Sequence, residues 1–210
     1  LSKVLPNISV SHYLSLTLRR KIKVLLVAVC LVAGISATCA QNSQPVRVTV
    51  KGVPVLLSGA LPAIGEQAPD FIGVNSSMND ISLDSFRGKK VILNIFPSLD
   101  TPTCAMSVRH FNQMAASLPN TVVLAISMDL PFAQKRFCST EGIENVIPLS
   151  VFRNPEFAKA YGILQTEGNG RGLLARAVVV IDETGKIMYT QLVNEVSEEP
   201  DYQDVMGHRF

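Results

Sequence analysis

The chain has 210 residues, of which 47% are hydrophobic and 17% charged, with no tryptophan and 4 cysteines. That length fits one ordinary domain with a full core, and the composition excludes a disordered chain and a disulfide-stapled scaffold. The formal charge of +2 is local, because Lys3, Arg19, Arg20, Lys21 and Lys23 lie in a leading segment that holds no acid. Beyond it acids outnumber bases, and the short cluster Arg87 to Lys90 reads as a solvated turn, which argues against a nucleic-acid surface.

The amino end reads as an address. TLRRKIK is a positive region, VLLVAVCLVA an apolar one, and SATCAQ a run of small residues. The apolar run falls short of the roughly twenty residues a transmembrane helix needs. Residues 1–40 are therefore expected to be a targeting segment, with cleavage after Ala40, a mature chain from Gln41 and export to a periplasm. Lipid attachment at Cys39 is the alternative, although Thr38 before it fits poorly. Leu1 in place of methionine leaves the start site open. Residues 41–210 then form one domain, and no linker divides it.

Along that domain, VRVTV and VPVLL flank Lys51-Gly52 as a small hairpin. ALPAIGEQAPDF, with its prolines and Gly65, is a loop, and ISLDSFRGKK a short helical turn. VILNIF is a continuous apolar run, which predicts a strand buried on both faces. A helix follows from about Thr103 through Ser117, then a second buried strand, TVVLAIS. DLPFAQKRFCSTEG reads as a helix with Asp129 near its cap, Pro131 in its first turn and Gly142 as its stop. IPLSVF, RAVVVID and KIMYTQLV are further strands, with NPEFAKAYG as a short helix between the first two. Strands alternating with helices indicate an α/β domain with a mixed central sheet.

With Cys30 and Cys39 in the leading segment, the domain keeps only Cys104 and Cys138. They are either one structural bridge or a redox couple. His12, His110 and His208 are scattered without acid or cysteine partners at ligand spacing, so no metal or other cofactor is expected. His110, six residues beyond Cys104 on the same helix, faces elsewhere and cannot serve it as a base. EGNGRG does not follow a strand and open a helix, so it reads as a flexible loop rather than a nucleotide site. No CxxC pair is present.

Cys104 remains, within FPSLDTPTCAMSVRHFN at the start of a helix. Backbone N–H groups and the helix dipole favour the ionised, nucleophilic sulfur there. Thr101 can aim its hydroxyl at that sulfur or at a bound oxygen, and Pro97 and Pro102 restrict the backbone. On position alone, a buried packing cysteine with Thr101 merely capping the helix is an equal alternative.

Four stretches taken together resolve that tie. FPSLDTPTCAMSVRHFN, VVLAISMDLPFAQKRFC, GLLARAVVVID and QLVNEVSEEPDY, in that order, closely resemble the thiol peroxidases, atypical two-cysteine peroxiredoxins. The likeness runs from about Val46 to Tyr202. It implies a thioredoxin-like fold, a central mixed sheet flanked by helices with an N-terminal β-hairpin, and a peroxidase acting on hydrogen peroxide and organic hydroperoxides. By position, Cys104 matches the peroxidatic cysteine, Cys138 the resolving cysteine, and Pro97 and Thr101 the family's proline and threonine. Arg176 matches its active-site arginine, while Arg109 and Arg136 read as helix-surface charges. The resemblance further implies an intramolecular disulfide, recycling by thioredoxin or a similar dithiol, and a homodimer. One departure stands out: the family ends in a helix, whereas Gly207-His208-Arg209-Phe210 does not look like the end of one. The competing readings are a thioredoxin-fold binding or structural protein in which Cys104–Cys138 is only a staple, and a disulfide reductase, which the missing CxxC disfavours.

Overall fold

The computed structural model describes residues 45–207. The expected targeting segment, residues 1–40 with Cys30 and Cys39, lies outside the described residues, as do His208, Arg209 and Phe210. Among the described residues no helix is long and apolar enough to cross a membrane.

Strands β1 (Arg47–Val50) and β2 (Val53–Leu56) form the expected antiparallel hairpin, with Val50 opposite Val53 across Lys51-Gly52. A two-residue turn of this hand needs positive φ at both central residues. Gly52 takes 77° freely and Lys51 accepts 51°. Two strands too short to stand out follow, β3 (Ile72–Val74) and β4 (Asp80–Ser82), and then a 3₁₀ turn, Leu83–Phe86. The stretch read as one helical turn thus begins in strand, at Ile81 and Ser82, before the 3₁₀ turn.

The remaining elements are β5 (Lys90–Ile95), α1 (Pro102–Ala115), β6 (Thr121–Ser127), α2 (Pro131–Glu141), β7 (Val146–Ser150), α3 (Pro155–Ala160), β8 (Ala177–Ile181), β9 (Ile187–Leu192) and α4 (Tyr202–Gly207). The main sheet has seven strands in the order β4-β3-β7-β6-β5-β8-β9. Strands β5, β6 and β7 run parallel and the other pairings are antiparallel, so the sheet is mixed as expected.

Alternation along the central strands divides the core between the two faces. Leu93, Ile95, Leu124, Ile126, Val179 and Ile181 point into one cluster, which α3 and the hairpin also enter. Ile92, Val123, Ala125, Val178 and Val180 point into the other, where α1 packs Cys104, Val108 and Phe111. Burying a side chain such as Phe111 stabilises the fold by about 1.5–3 kcal/mol.

Register decides what lies near the start of α1. Ile95, the last residue of β5, pairs with Ile126 on one side and Ala177 on the other. The chain leaving β5 toward α1 therefore runs beside Arg176, the residue just before β8. On the opposite side it runs beside the exit from β6, residues 127–130. The carboxyl ends of parallel strands are the usual ligand edge of such a sheet.

Candidate active site

Pro102 opens α1 at a position where its missing N–H costs nothing, and Thr103 and Cys104 complete the first turn. Cys104 is fully buried, with its side chain in the helix-side core cluster. Arg176 Nη2 donates to Cys104 Sγ at 3.3 Å, and Arg176 Nε donates to the Val196 carbonyl at 3.0 Å. The guanidinium is itself 1% exposed. A buried cation is costly unless its donors are engaged, and here one of them is spent on a thiol sulfur. The third nitrogen, Nη1, has no partner among the described residues.

In front of this pair lies a cleft of about 440 Å³, lined among others by Pro97, Thr101, Pro102, Thr103 and Arg176. The fold thus gathers four of the expected residues at one place: Pro97 and Thr101 in the cleft wall, Arg176 at its inner end and Cys104 bonded to Arg176. The cysteine itself is not part of the lining.

The alternative reading of Thr101 as a helix cap does not hold. Its hydroxyl donates to the Ser98 carbonyl at 3.1 Å and makes no side-chain cap bond to the helix it precedes. It is an exposed lip of the cleft, with its oxygen still able to accept a hydrogen bond.

Cys138 sits near the end of α2, half-buried against the same helix-side cluster. Neither Cys138 nor Cys104 is in a disulfide. Burial pushes the Cys138 thiol above its ordinary range, because the ionised sulfur would lose hydration there; a backbone hydrogen bond offsets part of this. Gly142 closes α2 in the left-handed conformation, with its N–H on the Cys138 carbonyl. Arg109 is more than a surface charge. It pairs with Glu141 at 2.8 Å, linking α1 to α2, and lies over the Phe137 ring.

Asp129 corrects one expectation. The residue preceding α2 is Leu130, which has no side-chain cap bond, so Asp129 does not cap that helix. Its carboxylate instead accepts from Ser98 Oγ at 2.7 Å, Leu99 N–H at 2.7 Å and Ser127 Oγ at 2.8 Å. Gln134 of α2 adds a bond from Nε2 to Ser127 Oγ at 3.1 Å. One carboxylate thereby ties the loop that carries Pro97 and Thr101 to the loop that launches the Cys138 helix.

Glu195, in the stretch QLVNEVSEEPDY, plays a similar part at the outer wall. It accepts Lys51 N–H and Gly52 N–H, both at 2.9 Å, together with the Ser197 N–H and hydroxyl. These donors, the Ser197 hydroxyl first, hold its carboxyl well below the usual carboxylate range. Thr103 Oγ1 donates to the Ser197 carbonyl at 3.0 Å, so the hairpin turn, the loop after β9 and the start of α1 are joined. The same stretch places Tyr202 stacked on His110, with ring centroids 3.8 Å apart. No local pattern marks Asp129 or Glu195, since their bonds from Leu99 and from Lys51 and Gly52 join segments distant in sequence, and none marks Gln165 of the cleft.

Comparison with known proteins finds relatives of one family. A family model described as Redoxin matches residues 63–206. The chain is 54% identical over 157 residues to a thiol peroxidase of Corynebacterium glutamicum, covering 75% of this chain and 94% of that protein. It is 51% identical over 161 residues to a thiol peroxidase of Mycobacterium bovis, covering 77% and 96%. Among solved structures, a peroxiredoxin-like protein from Aquifex aeolicus superposes with a TM-score of 0.74 at 40% identity, covering 78% of this chain and 95% of that one.

Proposed function

The chain belongs to the Redoxin family and, within it, to the thiol peroxidases, and on that premise we infer how its own residues divide the reaction. It is a thiol-dependent peroxidase, with a hydroperoxide as substrate and a thiol as reductant. Cys104 takes the peroxidatic role. The observation that carries this is the buried Arg176 guanidinium donating to Cys104 Sγ at 3.3 Å beside the cleft.

In the first step the Cys104 thiolate attacks the terminal, hydrogen-bearing oxygen of the hydroperoxide. An S–O bond forms, the O–O bond breaks, and the other oxygen leaves as alkoxide or hydroxide and takes up a proton. Arg176 is positioned to offset the negative charge, first on sulfur and then along the lengthening O–O bond. Its unpartnered Nη1 is a donor available to a peroxide oxygen. Thr101 and Pro97 shape the approach, and the threonine oxygen can accept the hydroperoxide hydrogen.

The sulfenic acid on Cys104 then condenses with the Cys138 thiol, releasing water and forming a disulfide within the chain. Exchange with an external dithiol returns both cysteines to thiols. Thioredoxin is the reductant that the family resemblance supports. The same resemblance supports a homodimer, and exposed Leu130 and Phe132 at the start of α2 offer apolar surface for one. Export rests on the charge and hydropathy order of residues 1–40, and N-terminal sequencing from the native host tests it.

Peroxide-dependent oxidation of a dithiol by the chain beginning at Gln41 tests the whole reading. Wild-type protein is expected to turn over, and Cys104→Ser to consume no peroxide. Absence of turnover in the wild type would return the two cysteines to a structural role.

A further inference from the structure

Two buried polar atoms of cleft-lining residues have no partner among the described residues: the donor Arg176 Nη1 and the acceptor Gln165 Oε1. The reaction described above uses the first and gives no work to the second. Gln165 is 2% exposed, and its amide is held in one orientation because Nε2 donates to the Leu174 carbonyl at 3.0 Å. That leaves Oε1 as the free acceptor. Gly170, also in the lining, provides the room it occupies: a Cβ there would stand 2.3 Å from Oε1. A leucine would fill the position without leaving an acceptor unpaired, and buried acceptors are rarely left so. The cleft volume of about 440 Å³ is also far more than the head group of a hydroperoxide requires.

We propose that Gln165 is a specificity-determining residue of this cleft, its Oε1 accepting a hydrogen bond from an O–H group of the bound hydroperoxide. A site built around a buried acceptor favours substrates that present a donor to it and discriminates against analogues that leave it empty. Two sources can supply the donor: a hydroxyl on the organic part of the substrate, or the hydroperoxide's own O–H. The inference rests on the peroxidase reading, and the experiment below separates the failure of one from the failure of the other.

The test measures single-turnover rate constants of the dithiothreitol-reduced chain. Its substrates are hydrogen peroxide, an alkyl hydroperoxide with a terminal hydroxyl, and the methyl ether of that compound. Wild type is compared with Gln165→Leu and with Gly170→Ala. The second variant keeps the glutamine amide but pushes Oε1 aside, and Gly170 is outside the left-handed region, so alanine suits its backbone. If Gln165→Leu fails to fold, Gly170→Ala still decides.

The wild type is expected to prefer the hydroxyl compound over its ether by about tenfold, the effect of one neutral hydrogen bond to a buried acceptor. Both variants are expected to lose that preference. Alternatively, a fall of about tenfold for all three substrates, hydrogen peroxide included, assigns the donor to the hydroperoxide itself. Rate constants within about twofold of wild type for every substrate in a folded variant overturn the role of Gln165. A wild type that consumes no peroxide overturns the premise and the inference together.

Discussion

Replacing Asp129 by alanine removes the acceptor shared by Ser98 Oγ, Leu99 N–H and Ser127 Oγ, at 2.7, 2.7 and 2.8 Å. The two hydroxyls can turn to other partners, but Leu99 is buried and its N–H cannot. An orphaned buried donor costs about 1–3 kcal/mol, and losing two charge-assisted bonds adds roughly 1 kcal/mol after the hydroxyls re-aim. The expected destabilisation is therefore about 2–4 kcal/mol, or a fall in melting temperature on the order of 5–15 °C for a domain of this size. Asp129→Asn keeps one acceptor oxygen and is expected to lose about half as much.

The kinetic consequence separates this carboxylate from an ordinary core residue. It holds together the cleft loop and the loop that launches α2, so cutting it disorders the peroxide site and frees the Cys138 helix at once. The first step is expected to slow by about tenfold, while disulfide formation after it speeds up by a factor on the order of three to ten, because opening is less costly. Stopped-flow peroxide consumption reads the first rate, and mass analysis of acid-quenched samples reads the second. Faster disulfide formation also predicts less over-oxidation at high peroxide. A stability change under about 1 kcal/mol, or equal slowing of both steps, would refute the assignment.

The remaining predictions concern the charged and thiol groups. Arg176→Lys cannot reproduce a fork that reaches Cys104 Sγ and the Val196 carbonyl together, so the first step is expected to fall about 10²–10³-fold, and a loss under threefold would exclude its role. Cys138→Ser is expected to consume one equivalent of peroxide, trap with a sulfenic-acid reagent and then over-oxidise, whereas undiminished turnover with thioredoxin would remove Cys138 from the mechanism. Burial raises the Cys138 thiol, so that burial stabilises the closed fold below the ordinary thiol range near about 8.5, and its contribution is lost as pH rises through the raised value. In Cys104→Ser, alkylation of Cys138 should therefore follow a pH midpoint above that of a free thiol and return to the ordinary one in denaturant. Glu195 is shifted the other way: its contribution is present above about pH 4.3 and fades as pH falls below it, so Glu195→Gln should flatten the acid limb of the melting curve.

How much of this could be read in advance depended on whether the information was local. The inner strands were legible because a strand covered on both faces is one apolar run, as in VILNIF and TVVLAIS. Strand β3 was not, since it has three residues and Gly73 at its centre, where a Cβ would meet Leu149 at 2.9 Å. Packing against a neighbouring strand, invisible in sequence, explains that glycine. Pro131 and Gly142 marked the ends of α2 correctly because Pro at the first turn and Gly past the last are backbone constraints. Asp129 misled because the short spacing to Pro131 imitates a helix cap, while its true partners, Ser98 and Leu99, come from the loop before α1. Arg176 was identified only through family likeness, and the pairing of Ile95 with Ala177 is the physical reason it meets Cys104.

The molecule opens at the beginnings of α1 and α2. Cys104 is fully buried, so even the first step asks the start of α1 to give, and a disulfide asks for Cα atoms within about 7 Å on two separate helices. Neither helix is protected at its beginning. Thr101 and Leu130 both lack a side-chain cap bond, and neither first turn carries an acid to meet the dipole. A missing cap is worth about 1 kcal/mol, and each first turn is therefore among the less costly parts of the fold to melt. What restrains them comes from elsewhere: Thr103 on the Ser197 carbonyl, Asp129 across the two loops, and Arg109 on Glu141 between the helices. Thr103 on Ser197 and Arg109 on Glu141 are polar contacts at exposed groups, readily exchanged for water, whereas Asp129 on the buried Leu99 N–H is the costlier tie. The reactive ends of α1 and α2 thus sit on a rigid core by ties that can be released without disturbing it.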